Sequence, residues 1–335
     1  MRRSLLLATA TTLLLTAPIA SSALAVTSVT TSMSATTNAN QAATRDAAGW
    51  LARELTNGDH ITSGDFDDHG LTADTVLALT SAKVAGTAAT NATDWLARPE
   101  NTTAYIGDGV QESYAGAHAK LALVAISQGR DPENFGGRNL LTELTDLQED
   151  SGRFSDKSQY GNYSNAFSQS LAILALHRTP IQAPAKAVDF LVASQCPDGS
   201  LPLAFGESTC TGHVDATGLA VQAMLATGHD ESANRALTWL ASTQKSNGGF
   251  AEKLDDVDAG NSNSTGSAMQ ALNAGKHPAA EKAATKAAAF LRGIQIGCSG
   301  AVEQRGAITY DGTFNAAKDK RATAGALLGL SGVSM

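Results

Sequence analysis

A repeated helical segment of about 48 residues is the feature of this sequence that most constrains its fold. Six segments share an apolar pattern, and a leucine stands at the equivalent position near the end of each. Neighbouring leucines are 45 to 51 residues apart, at Leu51, Leu96, Leu144, Leu191, Leu240 and Leu291. Regular self-similarity of this length indicates one structural unit that is stacked several times.

A second set of six apolar segments alternates with the first. These segments are rich in alanine and place apolar residues at i, i+3, i+4 and i+7, which predicts helices that are buried on most sides. They are Leu71–Ala82, Tyr114–Ser127, Ala166–His177, Asp215–Thr227, Thr265–Ala274 and Thr323–Leu330. No useful length of sequence alternates with period two, so no strands are predicted.

Together the two sets predict an all-α protein with six inner and six outer helices. The first set carries charges on one face, which is typical of an outer helix. Six pairs favour a closed (α/α)6 toroid over an open solenoid with two exposed ends, the more so because the chain stops just after the sixth inner helix. The predicted toroid domain covers residues 45–335.

The beginning of the chain has the pattern of a secretory signal peptide over residues 1–25. Arg2 and Arg3 precede a short apolar run, and Ala23-Leu24-Ala25 is a small-residue cleavage site. We therefore expect a secreted, extracellular protein with no membrane span, since no run reaches about 18 apolar residues. Residues 26–44, rich in threonine, serine and alanine, are interpreted as a flexible arm.

The composition restricts the class of ligand. Thirty-two acidic residues exceed 24 lysines and arginines, so the formal charge is −8 and no basic stripe is available to neutralise nucleic-acid phosphates. Aromatic residues make up only 5% of the chain, which is low for a cavity that stabilises carbocations on aromatic faces. We expect a small molecule or another protein as the partner.

Glutamine and glycine recur at fixed distances after the outer helices. Gln195, Gly199 and Leu201 form one copy, and Gln244, Gly248 and Phe250 form a second. A partial copy comprises Gln148, Gly152 and Phe154, and Gln295 begins a degenerate one. The pattern resembles the Gln–Trp repeat of squalene–hopene cyclases and the related repeat of protein prenyltransferase β subunits, with the terminal Trp replaced. The resemblance implies the (α/α)6 toroid that these families share.

The inner segments that begin near His213 and Asn261 align with each other on Thr-Gly and on a following glutamine. They are similar to the bacterial secreted relatives of intrinsic factor and transcobalamin, which bind cobalamin. The resemblance implies a toroid whose rim faces the corrin and a β-rich domain that closes over it. Because this sequence ends before such a domain, the expected partner is a separate protein that carries it.

Asp65-Phe66-Asp67-Asp68 matches the Asp-x-Asp-Asp acid of class II terpene cyclases. In those enzymes the central aspartic acid stays protonated and donates its proton to an alkene or an epoxide. The tetrad lies in a glycine-rich stretch before an inner helix, where aspartates commonly cap helices. A terpene cyclase or prenyltransferase-like enzyme with Asp67 or Asp215 as its acid is therefore the alternative function, and a glycosidase that uses Asp74 and Asp215 is a weaker one.

The three cysteines allow more than one disulfide. Cys196 and Cys210 flank one loop between an outer and an inner helix, and a disulfide between them is predicted, although Cys298 could compete for Cys210. A zinc site at Cys210, His213 and Asp215 differs in order and spacing from that of the prenyltransferases. A carboxylate-rich segment, Asp255-Asp256-Val257-Asp258, is interpreted as a solvated loop. No metal site is predicted.

The inner helices are expected to present a mixed polar and aromatic rim at one mouth of the ring. Gly70, Tyr114, Phe167, Asp215, Asn263 and Arg321 occupy equivalent positions in their first turns, and Gln222 and Gln270 are equivalent one or two turns deeper. Taken singly, Asp215 and Asn263 could be helix caps and the glutamines could bridge helices. As a set, the residues predict a non-catalytic rim that captures a small molecule, cobalamin by resemblance, or a partner domain. The ligand-binding residues are therefore predicted to be Tyr114, Phe167, Asp215, Gln222, Asn263, Gln270 and Arg321.

Overall fold

The computed structural model describes residues 22–252 and 260–334, with side chains from residue 37 onward. Two compact units are distinguished, Met1–Ala39 and Asn40–Met335. The described part of the first unit belongs to helix α1, which runs from Ser22 to Arg53. Residues 26–44, which the sequence analysis assigns to an arm, therefore have helical backbone.

The second unit is an all-α ring, as the sequence predicts. Six inner helices, rich in alanine and leucine, contact one another in chain order, and the last contacts the first. Their bounds are α2 His69–Ala82, α5 Ala115–Ser127, α7 Ala166–His177, α9 Val214–Ala226, α11 Ser262–Ala274 and α13 Ala316–Ser331. The contact between α13 and α2 closes the ring, so the (α/α)6 toroid is confirmed.

The outer layer is less regular than the repeat predicts. Its helices are α1, α3 Gly86–Leu96, α6 Leu140–Thr145, α8 Ala185–Ala193, α10 Asp230–Thr243 and α12 Pro278–Gly293. One further helix, α4 Pro99–Ile106, and a short antiparallel hairpin of β1 Thr62–Ser63 and β2 Phe66–Asp67 were not predicted. Both precede inner helices, and their length is too short to produce a periodic signal.

The repeated glutamines join neighbouring outer helices around the ring. The side-chain amide of Gln195 donates to the carbonyl of Ser232 on α10 at 2.9 Å, and that of Gln244 donates to Ala283 on α12 at 2.8 Å. Gln295 donates to Ala43 on α1 at 2.9 Å and closes the outer layer. The glutamine of the repeat therefore forms a hydrogen bond between neighbouring repeats and does not bind a ligand.

The repeated glycines allow the loops to pack directly on the next outer helix. Gly152 has φ +91°, and a Cβ at this position would lie 2.1 Å from the carbonyl oxygen of Lys186. Gly306 is the counterpart in the degenerate copy, where its carbonyl oxygen accepts from Gln295. It has φ +97°, and its Cβ would lie 2.2 Å from the carbonyl oxygen of Asp46. Both the left-handed backbone and the close approach require glycine.

Candidate functional site

A cavity of about 300 Å³ lies at the end of the ring where the inner helices begin. Each of the six inner helices contributes at least one side chain, mostly from its first half, so the helices define one mouth as the sequence analysis expects. The lining residues are Asp74, Leu77, Lys120, Phe167, Leu171, Asp215, Leu219, Asn263, Ser267, Gln270, Arg321, Ala324, Gly325 and Leu328.

Five of the predicted site residues line this cavity and two do not. The five are Phe167, Asp215, Asn263, Gln270 and Arg321. Tyr114 precedes α5, and its hydroxyl donates to Glu112 at 2.9 Å outside the lining. Gln222 is buried against Gln270 behind the cavity wall. The role of the five lining residues in binding stays a prediction.

Asp215 points into the cavity and does not cap its helix. The cap of α9 is His213, whose Nδ1 accepts a hydrogen bond from the backbone N–H of Ala216 at 3.3 Å. In the part of the chain that the structure describes, Oδ1 of Asp215 is buried and has no hydrogen-bond partner. The interpretation of Asp215 as an N-cap is therefore wrong, because the preceding histidine has taken that role.

Asn263 repeats this arrangement on the neighbouring helix. Asn261 caps α11 by accepting from the backbone N–H of Ser264 at 2.9 Å. Oδ1 of Asn263 is buried without a hydrogen-bond partner among the described residues. Two equivalent positions on adjacent inner helices thus direct unused acceptor oxygens to the same cavity.

Burial changes the protonation of Asp215. Removal of the carboxyl group from water raises the pKa of Asp215 above its ordinary value, although the nearby Ser264 and His213 act in the opposite direction. Glu252, which lies 3.2 Å from Nε2 of His213, adds to the increase through its negative charge. The protonated form of Asp215 is therefore more accessible than that of an exposed aspartate.

A charged cluster occupies the opposite wall of the mouth. Nζ of Lys120 lies 2.6 Å from Oδ1 of Asp74, and the guanidinium of Arg321 lies 3.6 Å from the other oxygen of this carboxylate. Arg321 also approaches Asp68 at 3.3 Å. Burial alone would lower the pKa of Lys120, but the charge and hydrogen bond of Asp74, together with Tyr105, outweigh burial and raise this pKa, so Lys120 remains a cation.

Lys120 was missed by the sequence analysis, and the sequence contained a signal for it. Lys120 is the only charged residue apart from a histidine in α5, a helix otherwise made of apolar and small residues. A single lysine in an otherwise apolar helix requires a charged partner or access to water. That partner, Asp74, lies on α2, and only the closed ring shows that the two helices are neighbours.

The paired glutamines connect inner helices to each other and to the end of the chain. Nε2 of Gln222 donates to Oε1 of Gln270 at 3.1 Å. Nε2 of Gln270 in turn donates to the carbonyl oxygen of Val333 at 3.0 Å. Both polar ends of the Gln270 amide are therefore engaged within the protein, although the residue lines the cavity.

Asp67, the alternative catalytic acid, lies outside the cavity. Its side chain is 52% exposed on strand β2, with Oδ1 3.1 Å from Nε2 of His60. The adjacent Asp68 caps α2 by accepting from the backbone N–H of Leu71 at 2.8 Å. Residues 65–68 therefore form the end of the hairpin and the start of helix α2. The other carboxylate-rich segment, Asp255-Asp256-Val257-Asp258, lies outside the described residues.

The predicted disulfide between Cys196 and Cys210 is present, and Cys298, the alternative partner for Cys210, is unpaired and exposed. The disulfide uses the thiol that a zinc site at Cys210 would need. In residues 22–252 and 260–334, no group of three or more histidine, cysteine or carboxylate side chains is arranged to hold a metal ion. No helix within the same ranges is long and apolar enough to cross a bilayer.

Comparison with solved structures shows the fold. A protein from Actinoplanes has a TM-score of 0.66 and 17% identity, with 88% of this chain and 99% of that chain covered. A variant of the type II terpene cyclase MstE from Scytonema, in complex with geranylgeranyl dihydroxybenzoate, has a TM-score of 0.68 and 14% identity, with 88% and 97% covered. An inactive variant of an alpha-1,6-mannanase of Salegentibacter has a TM-score of 0.62 and 11% identity, with 88% and 98% covered.

The TM-scores establish the α/α toroid fold. The sequence identities are too low to show a shared function. A search of the curated proteins finds no significant match to the chain. A sequence model described as the eukaryotic cobalamin-binding protein family matches residues 103–298, which is more than half of the chain and includes four of the six inner helices. The chain therefore belongs to the family of eukaryotic cobalamin-binding proteins.

Proposed function

We propose that this chain is a non-catalytic, extracellular binding protein that holds a cobalamin-like ligand at the mouth of its toroid. The observation that carries the proposal is the pair of unused acceptor oxygens, Oδ1 of Asp215 and Oδ1 of Asn263. A buried acceptor without a partner costs about 1–3 kcal/mol. A ligand that supplies N–H or O–H donors offsets this cost when it binds.

The rest of the mouth supports a ligand of mixed polarity. Phe167, Leu171 and Leu219 offer apolar surface, whereas Lys120 and Arg321 offer donors on the opposite wall. A cobalamin combines an apolar corrin face with primary amides that both donate and accept hydrogen bonds. Such a molecule uses both kinds of surface.

The size of the cavity determines how the ligand sits. A volume of about 300 Å³ is smaller than a corrin with its side chains, so only one edge of the ligand enters the ring. The remainder lies on the rim, where a separate β-rich protein covers it. The disulfide and the leader-like residues 1–25 support action outside the cell.

Cyanocobalamin titration, followed by absorbance and by isothermal calorimetry, tests the proposal. Asn263→Ala removes one acceptor and should weaken binding by about 1–3 kcal/mol, with no loss of stability because the oxygen makes no bond in the free protein. Asp215→Asn should weaken binding by a similar amount if the ligand's hydrogen bond is charge-assisted.

Asp189→Asn on the exposed face of α8 is the matched control and should bind as the wild type does. Failure of the wild-type chain to bind at ligand concentrations up to about 1 mM, which corresponds to about −4 kcal/mol, would refute the proposal. Equal binding by Asn263→Ala and wild type would show that the ligand sits elsewhere.

A second candidate function, a type II terpene cyclase, is favoured by one observation. The cavity holds a buried carboxyl group, that of Asp215, whose raised pKa suits a proton donor. The cations Lys120 and Arg321 in the same cavity oppose it, because they would destabilise a carbocation, and among the described residues Phe167 is the one aromatic side chain in the lining.

Incubation with squalene or with geranylgeranyl diphosphate, followed by product analysis, tests the cyclase hypothesis. A product that disappears in Asp215→Asn and persists in Asp67→Asn would establish Asp215 as the acid. No product from the wild-type chain, or equal product from Asp215→Asn, would exclude this function.

A further inference from the structure

A second cavity, of about 230 Å³, lies at the opposite end of the ring, where the inner helices end. Its apolar walls include Leu123 and Ile126 from the end of α5. Three residues, Leu77, Gln270 and Leu328, line both this cavity and the mouth cavity. One layer of side chains therefore separates two cavities that share the axis of the toroid.

The polar side chains in the wall of this second cavity are already engaged. The hydroxyl of Thr80 donates to the carbonyl of Val76 at 2.7 Å. The hydroxyl of Ser127 donates to Val124 at 3.0 Å in the same way. The wall consequently offers few free donors or acceptors to a ligand, and an alkyl chain is the group that suits it.

Two cations stand at the opening of the second cavity. Lys83 and Arg178 both line it and are exposed, and neither forms an ion pair with a carboxylate among the described residues. Arg178 donates to the carbonyl oxygen of Ser334 at 3.3 Å, which leaves part of its guanidinium for another partner. The carbonyl ends of the inner helices favour positive charge at this end of the ring and disfavour an anion, so an anionic group here depends on these two cations.

We propose that the second cavity binds a straight-chain anionic amphiphile, with its alkyl chain between the inner helices and its anionic head at Lys83 and Arg178. The head stays in water, where a charge is not penalised by burial, and the chain is removed from water. The main-chain carbonyls of Val333 and Ser334, held by Gln270 and Arg178, cover one side of the opening.

Calorimetric titration of the full chain with hexanoate, octanoate and decanoate tests the alkyl part of the proposal. Each buried methylene should tighten binding about fourfold, so octanoate and decanoate should differ about 15-fold. Ser127→Trp adds bulk at an exposed position of the opening and should abolish binding, with folding checked by circular dichroism.

The head group is tested with two further probes and one double variant. Decanol and decyltrimethylammonium should bind more weakly than decanoate, and Lys83→Gln combined with Arg178→Gln should weaken decanoate about fivefold. Lys276→Gln, which removes a charge at the same end of the ring away from the cavity, is the matched control.

Four results would overturn the proposal. They are no binding of decanoate by the wild-type chain, binding of decanol as tight as that of decanoate, unchanged binding by Ser127→Trp, and loss of decanoate binding in Asp215→Asn. Asp215→Asn should leave decanoate binding unchanged, because Asp215 lines only the mouth cavity. A loss in this variant would place the amphiphile in the mouth.

Discussion

Replacement of Thr265 by valine tests how each loop is attached to its inner helix. Oγ1 of Thr265 accepts a hydrogen bond from the backbone N–H of Phe250 at 2.9 Å and donates to the carbonyl of Asn261 at 2.6 Å. Thr265 and Phe250 are both fully buried. Valine keeps the shape of threonine but leaves the N–H of Phe250 without an acceptor.

The expected cost of Thr265→Val follows from that N–H. A buried donor deprived of its partner costs about 1–3 kcal/mol, and the free energy of unfolding should fall by this amount in urea titrations followed by circular dichroism. Thr265→Ser keeps the hydroxyl and should recover most of the hydrogen-bond contribution.

Thr238→Val is the matched control for this prediction. Its hydroxyl donates to the carbonyl of Asn234 at 2.8 Å, as that of Thr265 donates to Asn261, but it is exposed and accepts no backbone N–H. The control should change stability by less than about 0.5 kcal/mol. If Thr265→Val is as mild as Thr238→Val, the threonine does not hold the loop and our reasoning is wrong.

Three further variants address the site, the ring and the loop. Burial raises the pKa of Asp215 in the folded state, so the wild type loses stability as pH rises through that raised pKa. Asp215→Asn should therefore have the higher free energy of unfolding in urea titrations at neutral pH. The difference should vanish below about pH 3.9, where the carboxyl group is protonated in the unfolded chain as well. Gly266→Ala should cost about 1–3 kcal/mol in thermal unfolding, because the new Cβ would lie 2.3 Å from a carbonyl oxygen of α13, whereas Gly293→Ala, with no atom within 4 Å, should be neutral or stabilising. Joint replacement of Cys196 and Cys210 by serine should lower the free energy of unfolding by about 3 kcal/mol, since the disulfide spans a sequence separation of 14 residues; an unchanged value would show that the loop is held by its other contacts.

The alternation of two helix types could be predicted because packing imposes it on the residues themselves. An inner helix is surrounded by other helices and must be apolar on most sides. The composition and the helical period alone therefore predict α7 and α9 as buried helices. The glutamine and glycine of each repeat were also visible in the sequence. Their partners were not, since Gln195 donates to a carbonyl 37 residues away.

The mouth residues could be predicted only as a set of equivalent positions. The alignment placed Asp215 and Asn263 together correctly, but both were open to interpretation as caps. Whether Asp215 and Asn263 cap their helices or line the cavity depended on whether His213 and Asn261 would take the capping position. The backbone angles at the helix start decide that. Histidine is not among the common capping residues, so the residue type gave no signal at His213, whereas asparagine is a common cap and Asn261 did carry one.

The sequence by itself determined the class of the fold, the number of repeats and the end of the ring where polar residues gather. These properties are local, because each helix carries its own period and each repeat its own loop signal. Tertiary structure alone decided which side-chain oxygens at the mouth have no hydrogen-bond partner and which charged residues form ion pairs. It also decided where the two cavities lie on the axis of the ring. Lys120 and Asp74 are 46 positions apart and meet only because α2 and α5 are neighbours in the ring. Such contacts depend on how the helices are placed in space, and the residue pattern within one helix does not predict which other helix lies beside it.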